Sequence, residues 1–294
     1  MDHKSFLKAL SDEEKAALTE TEDAAGLWHL AGHLGLILAC GALIAAKVPL
    51  WWVLLPVQGV LMVFLFTLEH ECTHKTPFRA PALSDWVGRL CGMVLLLPFE
   101  WFRYFHLAHH RHTNIPGLDP ELASEKPETV TQWVWHVSGL PYWAAGVKLM
   151  AALVMGRTEG EYLPKSARPR MVREARVMAL IYLALALTLI WSPMLLWVWI
   201  VPVLVGQPAL RLYLLAEHGD CPRVTDMFEN TRTTFTNKVI RFLAWNMPYH
   251  AEHHVFPAVP FHKLPALHLK MRDHLKVTAD GYAAFTRDYL DRRM

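Results

Sequence analysis

Thirty-four consecutive residues, Val177 to Leu210, contain no Asp, Glu, Lys or Arg. A helix needs about 20 apolar residues to cross a bilayer, so this run is too long for one span. Trp191-Ser192-Pro193, near its middle, supplies a turn. Two more uncharged runs precede it: Ala24–Ala46, broken only by His29 and His33, and Val48–Leu68. Charged residues make up 19% of the chain, against about 25% in soluble proteins. The expected architecture is an all-α integral membrane protein of four transmembrane helices in two hairpins. The spans fall at about 25–46, 48–68, 175–191 and 193–212, and a helical cytosolic cap comprises about 69–174 and 213–294. A single domain over 1–294 is expected. Leu90–Phe99 is apolar but too short to span, and Val130–Val147 is interrupted by Gly139 and Pro141; both fit the interface or partial insertion.

The basic residues orient these spans. Residues 69–176 hold 13 Lys and Arg, residues 211–294 hold 12, and three precede the first span; the predicted hairpin turns hold only Lys47. The positive-inside rule makes the richer side, and with it both termini, cytoplasmic. Residues 1–23 are charged, unlike a cleavable signal, and Ser11 with Glu14 has capping-box spacing at the start of a short surface helix. The net charge of +2 is small, and nothing points to nucleic acid.

Chemistry enters with the histidines. His70-Glu71-Cys72-Thr73-His74 spells H-E-x-x-H, the zinc-hydrolase motif. Two further boxes follow, each H-x-x-H-H: His106, His109 and His110, then His250, His253 and His254. On a helix, positions i, i+3 and i+4 share a face, so each box offers three imidazoles to one region. His218, just after the last span, is a candidate ninth. A catalytic zinc site takes three protein ligands; eight or nine clustered imidazoles suit two metals. Glu71 then sits inside a metal box without being a hydrolytic base, though a membrane zinc hydrolase using His70, Glu71 and His74 is the alternative from another class. His29 and His33 read as packing or hydrogen-bonding residues between helices, and His112 as turned off the face of its neighbours.

In combination, "HECTH", "HLAHHRHTN" and "YHAEHHVFPAVPFHKLP" resemble the three histidine boxes of the membrane fatty acid desaturase superfamily, over about residues 25–270. The resemblance implies four membrane helices under a cytosolic cap and a di-iron centre between them. Its ligands would be His70, His74, His106, His109, His110, His250, His253 and His254, with His218 in the place of the histidine that family members often carry between the second and third boxes. Leu214 replaces an asparagine found in the acyl-CoA desaturase branch, which sets the chain apart from that branch. Glu71, Asn114, Asp119, Glu217, Asp226, Asn246 and Glu252 are candidates to hold the outer nitrogens of metal-bound imidazoles. No catalytic residue beyond the metal ligands is expected.

The cofactors implied are two iron ions, with O2 as co-substrate. Imidazole also suits zinc and copper, so zinc in a purified sample is compatible, but oxidising an unactivated C–H bond needs a redox metal. The four cysteines are scattered and no haem-binding H-P-G-G occurs, so electrons must come from a separate ferredoxin, rubredoxin or cytochrome b5-like protein. The basic stretches RPRMVREAR (168–176) and KMRD (270–273) offer such an acidic carrier a surface, or equally an anionic lipid headgroup. The expected reaction is desaturation of a fatty-acyl or lipid chain by successive hydrogen abstraction. Hydroxylation or ketolation of a lipid or carotenoid is the alternative on the same scaffold.

Overall fold

The computed structural model describes residues 1–294. It is almost wholly helical: α1 His3–Ala9, α2 Asp12–Thr19, α3 Asp23–Ala45, α4 Leu54–Val63, α5 Leu65–His74, α6 Pro81–Leu95, α7 Phe99–His112, α8 Val130–Val137, α9 Leu140–Val154, α10 Arg168–Thr188, α11 Val201–His218, α12 Met227–Asn230, α13 Lys238–Leu243, α14 His250–Val255, α15 Leu264–Met271 and α16 Tyr282–Asp291. The only sheet is a parallel pair of two-residue strands, β1 Thr233–Thr234 and β2 Thr278–Ala279. The capping box at α2 is formed in full, Ser11 and Glu14 each satisfying the other's backbone N–H.

Three helical stretches are long and apolar enough to cross a membrane: Asp12–Ala45, Trp51–His74 and Leu196–His218. The number reaches five if two bent pairs each count once: α6 with α7, bent by 100°, and α8 with α9, bent by 55°. These pairs contain the two apolar stretches that were too short or too interrupted to span alone. The long uncharged run does divide at Trp191–Pro193, where backbone turns separate α10 from the Leu196–Ile200 π-turn that leads into α11. However, α10 starts at Arg168, seven residues before the expected span at about 175. Arg168, Arg170, Arg173, Glu174 and Arg176 occupy its first turns, leaving residues 177–188 as its uncharged part, about 18 Å of helix. Large apolar side chains point outward, among them Trp28, Leu38, Leu180, Ile190 and Trp191. An apolar surface of this extent belongs against hydrocarbon rather than water, and tryptophans at the ends of such a belt suit the headgroup level.

α4 and α11 pack backbone against backbone. A Cβ on Gly59 would lie 2.2 Å from the Pro202 carbonyl oxygen, and one on Gly206 would lie 2.3 Å from the Gly59 carbonyl carbon. Only paired glycines allow backbones this near, the small-residue packing typical of membrane helices. Gly206→Val is expected to destabilise the fold by about 1–3 kcal/mol or more through overpacking. Gly35→Val, where a Cβ meets nothing within 4 Å, should leave the melting temperature nearly unchanged; thermal unfolding in detergent reads both.

α7 is fixed by charge. The Glu100 carboxylate takes Arg170 Nε at 2.7 Å and Arg89 Nη2 at 3.4 Å, while the Glu174 carboxylate accepts the Glu100 backbone N–H at 2.7 Å. Arg103 pairs with Asp85. The network ties α6, α7 and α10 together where the second histidine box begins. Between helices, His33 Nε2 donates to the Leu61 carbonyl oxygen at 2.8 Å and His29 Nε2 to that of Phe242 at 2.7 Å. The His29 ring also stacks on Phe242. Both histidines are thus hydrogen-bonded packing residues, as their isolation in the first apolar run implied.

Candidate metal centre

α5 ends at His74, where Lys75 turns left-handed and stops the helix. His70 and His74 therefore stand one turn apart on one face. α7 brings His106, His109 and His110, α14 brings His250, His253 and His254, and His218 is the last residue of α11. All nine are buried except His74, which is partly so. They fall into two adjacent groups. Ligand-capable atoms of His70, His74, His106, His110 and His253 lie within 4.8 Å of one another, and so do those of His109, His218 and His254. His250 joins the second group, its Nε2 3.1 Å from Nε2 of both His218 and His254. The groups touch where the His110 and His254 rings stack at 4.0 Å.

The outer nitrogens fix the proton positions. The Asn230 backbone carbonyl, which can only accept, lies 3.2 Å from His218 Nδ1. The Asp119 carboxylate lies 3.0 Å from His109 Nδ1. The Thr113 hydroxyl donates to the His109 carbonyl at 2.9 Å and so accepts from His254 Nδ1 at 3.1 Å. In each ring Nδ1 carries the hydrogen, and Nε2 presents a lone pair. The Nε2 atoms of His109 and His218 then face each other at 3.1 Å, those of His110 and His253 at 3.1 Å, and those of His74 and His106 at 2.8 Å. Facing lone pairs repel unless a cation lies between them. Two nitrogens bound to one ion at about 2.1 Å and at right angles are about 3.0 Å apart. The donor set fits two imidazole-bound metals, and His70, with neither ring nitrogen partnered by protein, fits it too.

Burial, reinforced by the neighbouring imidazoles, holds His250, His253 and His254 well below the usual histidine range. They are neutral at pH 7, as metal binding needs. Burial works against the charged form of Asp119, but the His109 ring and the backbone N–H groups of Asn114 and Glu121 outweigh it and lower its pKa.

Of the seven side chains considered as supports, two reach the histidines. Asp119 bonds His109, and Glu217 Oε1 lies 3.4 Å from His250 Nδ1. Asn114 acts one step out: its backbone N–H holds Asp119 at 2.7 Å, and its amide donates to the Cys221 carbonyl at 3.2 Å. The other four bond elsewhere. Glu71 Oε1 accepts from the Thr76 hydroxyl at 2.6 Å and the Phe261 N–H at 2.9 Å. Asp226 caps α12 and holds His3. The Asn246 amide donates to the Phe261 carbonyl at 3.1 Å, and Glu252 bonds Thr233 and His268. Three supports had no signal in the boxes: Thr113, the Asn230 carbonyl, and Glu121, whose Oε2 lies 3.3 Å from His109 Nδ1. His112, half-exposed, stands outside both groups.

A cavity of about 560 Å³ opens beside this centre, within the range of small-molecule sites. His70, His106, His109 and His250 form part of its wall, and Phe66, Trp101, Phe102 and Phe105 face it. Leu96, left-handed at φ 59° after α6, lines both this cavity and a wholly apolar groove bounded by Tyr182 and Trp199.

Residues 49–286 match the family model described as fatty acid desaturase. Among curated relatives, the sn-1 oleoyl-lipid 12-desaturase of Arthrospira platensis is 23% identical over 240 residues, covering 72% of this chain and 67% of that protein. The sn-1 acyl-lipid omega-3 desaturase (ferredoxin) of a Synechocystis strain is 27% identical over 88 residues, 30% of this chain and 24% of that one. The Mus musculus sphingolipid delta(4)-desaturase/C4-monooxygenase is 26% identical over 205 residues, 67% of this chain and 58% of that one. The chain thus spans between about a quarter and two thirds of the length of these relatives.

Proposed function

The chain belongs to the fatty acid desaturase family, and from that premise we propose that it is an O2-dependent membrane oxidoreductase that desaturates a fatty-acyl or lipid chain. The observation that carries this reading is the convergence of nine histidine Nε2-bearing rings from α5, α7, α11 and α14 in two touching groups beside a cavity walled in part by aromatic rings. His70, His74, His106, His110 and His253 would hold one metal, and His109, His218, His250 and His254 the other. Bound there, two iron ions would supply the activation of dioxygen that removal of hydrogen from an unactivated methylene requires. Zinc in a purified sample remains compatible with the same donors.

The chain's own residues do the rest. Asp119, Asn230 and Thr113 keep Nδ1 protonated, so each ring turns its lone pair inward. The aromatic wall excludes water and holds an alkyl chain against the histidine side of the cavity. Four spans in two hairpins, with cytoplasmic termini and a cytosolic cap in one domain over 1–294, place this centre at the membrane surface. α3, α4–α5 and α11 support three of the spans; the fourth would start from the uncharged part of α10. A ferredoxin, rubredoxin or cytochrome b5-like donor would reach the exposed Arg173 and Arg176.

Purified protein reconstituted with iron should bind two ions per chain, and expression in a host that supplies reductant should yield lipids lighter by two hydrogens. A product heavier by one oxygen would move the assignment to the hydroxylase or ketolase reading, for which the desaturase/monooxygenase relative offers a precedent. One ion per chain would reject both. Glu71→Gln separates the hydrolase reading: with its carboxylate engaged by Thr76 and Phe261, the variant should retain both metals and lose no more than about 10–100-fold in activity. Loss of a reductant-independent hydrolysis would instead make Glu71 a base.

A further inference from the structure

We propose, resting on the oxidoreductase reading above, that the cavity takes a single-chain amphiphile with a free carboxylate, and that Arg211 and Lys126 bind that carboxylate inside the cavity. Both side chains line it, together with Phe66, Phe102 and Phe105. Neither forms an ion pair or a side-chain hydrogen bond within the protein, and Arg211 Nε is buried without a partner. A guanidinium and an ammonium left unpaired in a largely apolar cavity are costly unless something anionic completes them.

Glu121 and Glu217, on the same wall, favour the two cations from a distance but form no ion pair with either: Glu217 lies 3.4 Å from His250 Nδ1, Glu121 lies 3.3 Å from His109 Nδ1, and Glu125 is exposed. Arg211 instead packs on Tyr142, its Cζ 4.7 Å from the ring centroid, and its fork has no protein partner to compete with a bidentate acceptor.

Position narrows the ligand. Arg211 and His218 are seven residues apart on α11, hence on nearly the same face and about 10 Å apart along the axis. An anion on Arg211 therefore lies within the cavity, about two helical turns short of His218. A single acid group fits there at the end of one chain. A diacyl headgroup would need room for a second chain at the same point. The carbons that meet the histidines would then be counted from the acid end, several bonds from the carboxylate.

The test is binding rather than turnover, so it stands whether or not the product is an alkene. Oleate, methyl oleate and dioleoyl phosphatidate are each titrated in detergent against the metal-loaded protein, by competition with a fluorescent fatty acid. The wild type should prefer oleate to methyl oleate by at least about 10-fold, the size of a charge-assisted pair. Arg211→Gln should remove most of that preference while keeping its affinity for methyl oleate and both metals. Lys126→Met, in the loop after Ala123, should weaken oleate in the same sense and guards against a folding defect in the first variant. Equal affinity for acid and ester, an equal loss of both in Arg211→Gln, or a preference for phosphatidate over oleate would each overturn the proposal.

Discussion

Replacing His218 with alanine should lower bound iron from two ions per chain towards one and abolish product formation. His218 Nε2 stands 3.1 Å from Nε2 of both His109 and His250, so it is the link between donors from α7 and α14. Its Nδ1 is held by the Asn230 carbonyl, which fixes the ring without any help from a metal. His218 is not needed as a cap for α11. The Leu215 carbonyl at that helix end is already met by the Gly219 N–H at 2.8 Å. His112→Ala is the control, since that ring lies outside both groups; it should keep two ions and most of its turnover. If His218→Ala also keeps both, the second metal position as assigned here is wrong.

The next largest effect is expected at Asp119. Asp119→Ala should weaken metal binding at the second position by about 10–100-fold, the usual loss when the group orienting a ligand imidazole is removed. One carboxylate here organises three partners: His109 Nδ1, the Asn114 N–H at 2.7 Å and the Glu121 N–H at 2.9 Å. Its loss would free the His109 ring and the turn that carries Glu121. Asp119→Asn keeps one oxygen and should fall between the two. Chelator competition, with metal counted per chain, measures the difference; an alanine variant as tight as the wild type would mean that Glu121 alone suffices for His109.

The histidine boxes were legible because their spacing is a local property of a helix. Positions i, i+3 and i+4 meet wherever the chain is helical, and α5, α7 and α14 are. Glu252 shows the limit of sequence proximity. It lies two residues after His250 and one before His253, so it leaves the helix on another side and meets Thr233 and His268. Thr113 and Asn230 were silent for a different reason. Thr113 serves a ring 141 positions away, and Asn230 acts through a backbone carbonyl that every residue possesses. Helix ends were blurred by lipid. The hydropathy of 177–210 reports where hydrocarbon begins, whereas α10 reports where backbone hydrogen bonds begin, and Arg168 starts the helix before any residue need be apolar. In the same way the second apolar run stops at Leu68, while its helix continues to His74.

The glycine contact between α4 and α11 has a mechanical consequence. Gly59 lies 11 residues before His70 and Gly206 lies 12 before His218, arms of about 16–18 Å measured from one fulcrum. A tilt of about 5° at the crossing would sweep His70 through about 1.4 Å, whereas metal–ligand distances hold to about 0.2 Å. Holding two ions at the proposed centre would therefore need the crossing angle kept to about a degree. Bilayers of different thickness act on helix tilt, so with metals bound at the proposed centre their retention should vary with lipid composition, and the two glycines are the contact that resists it.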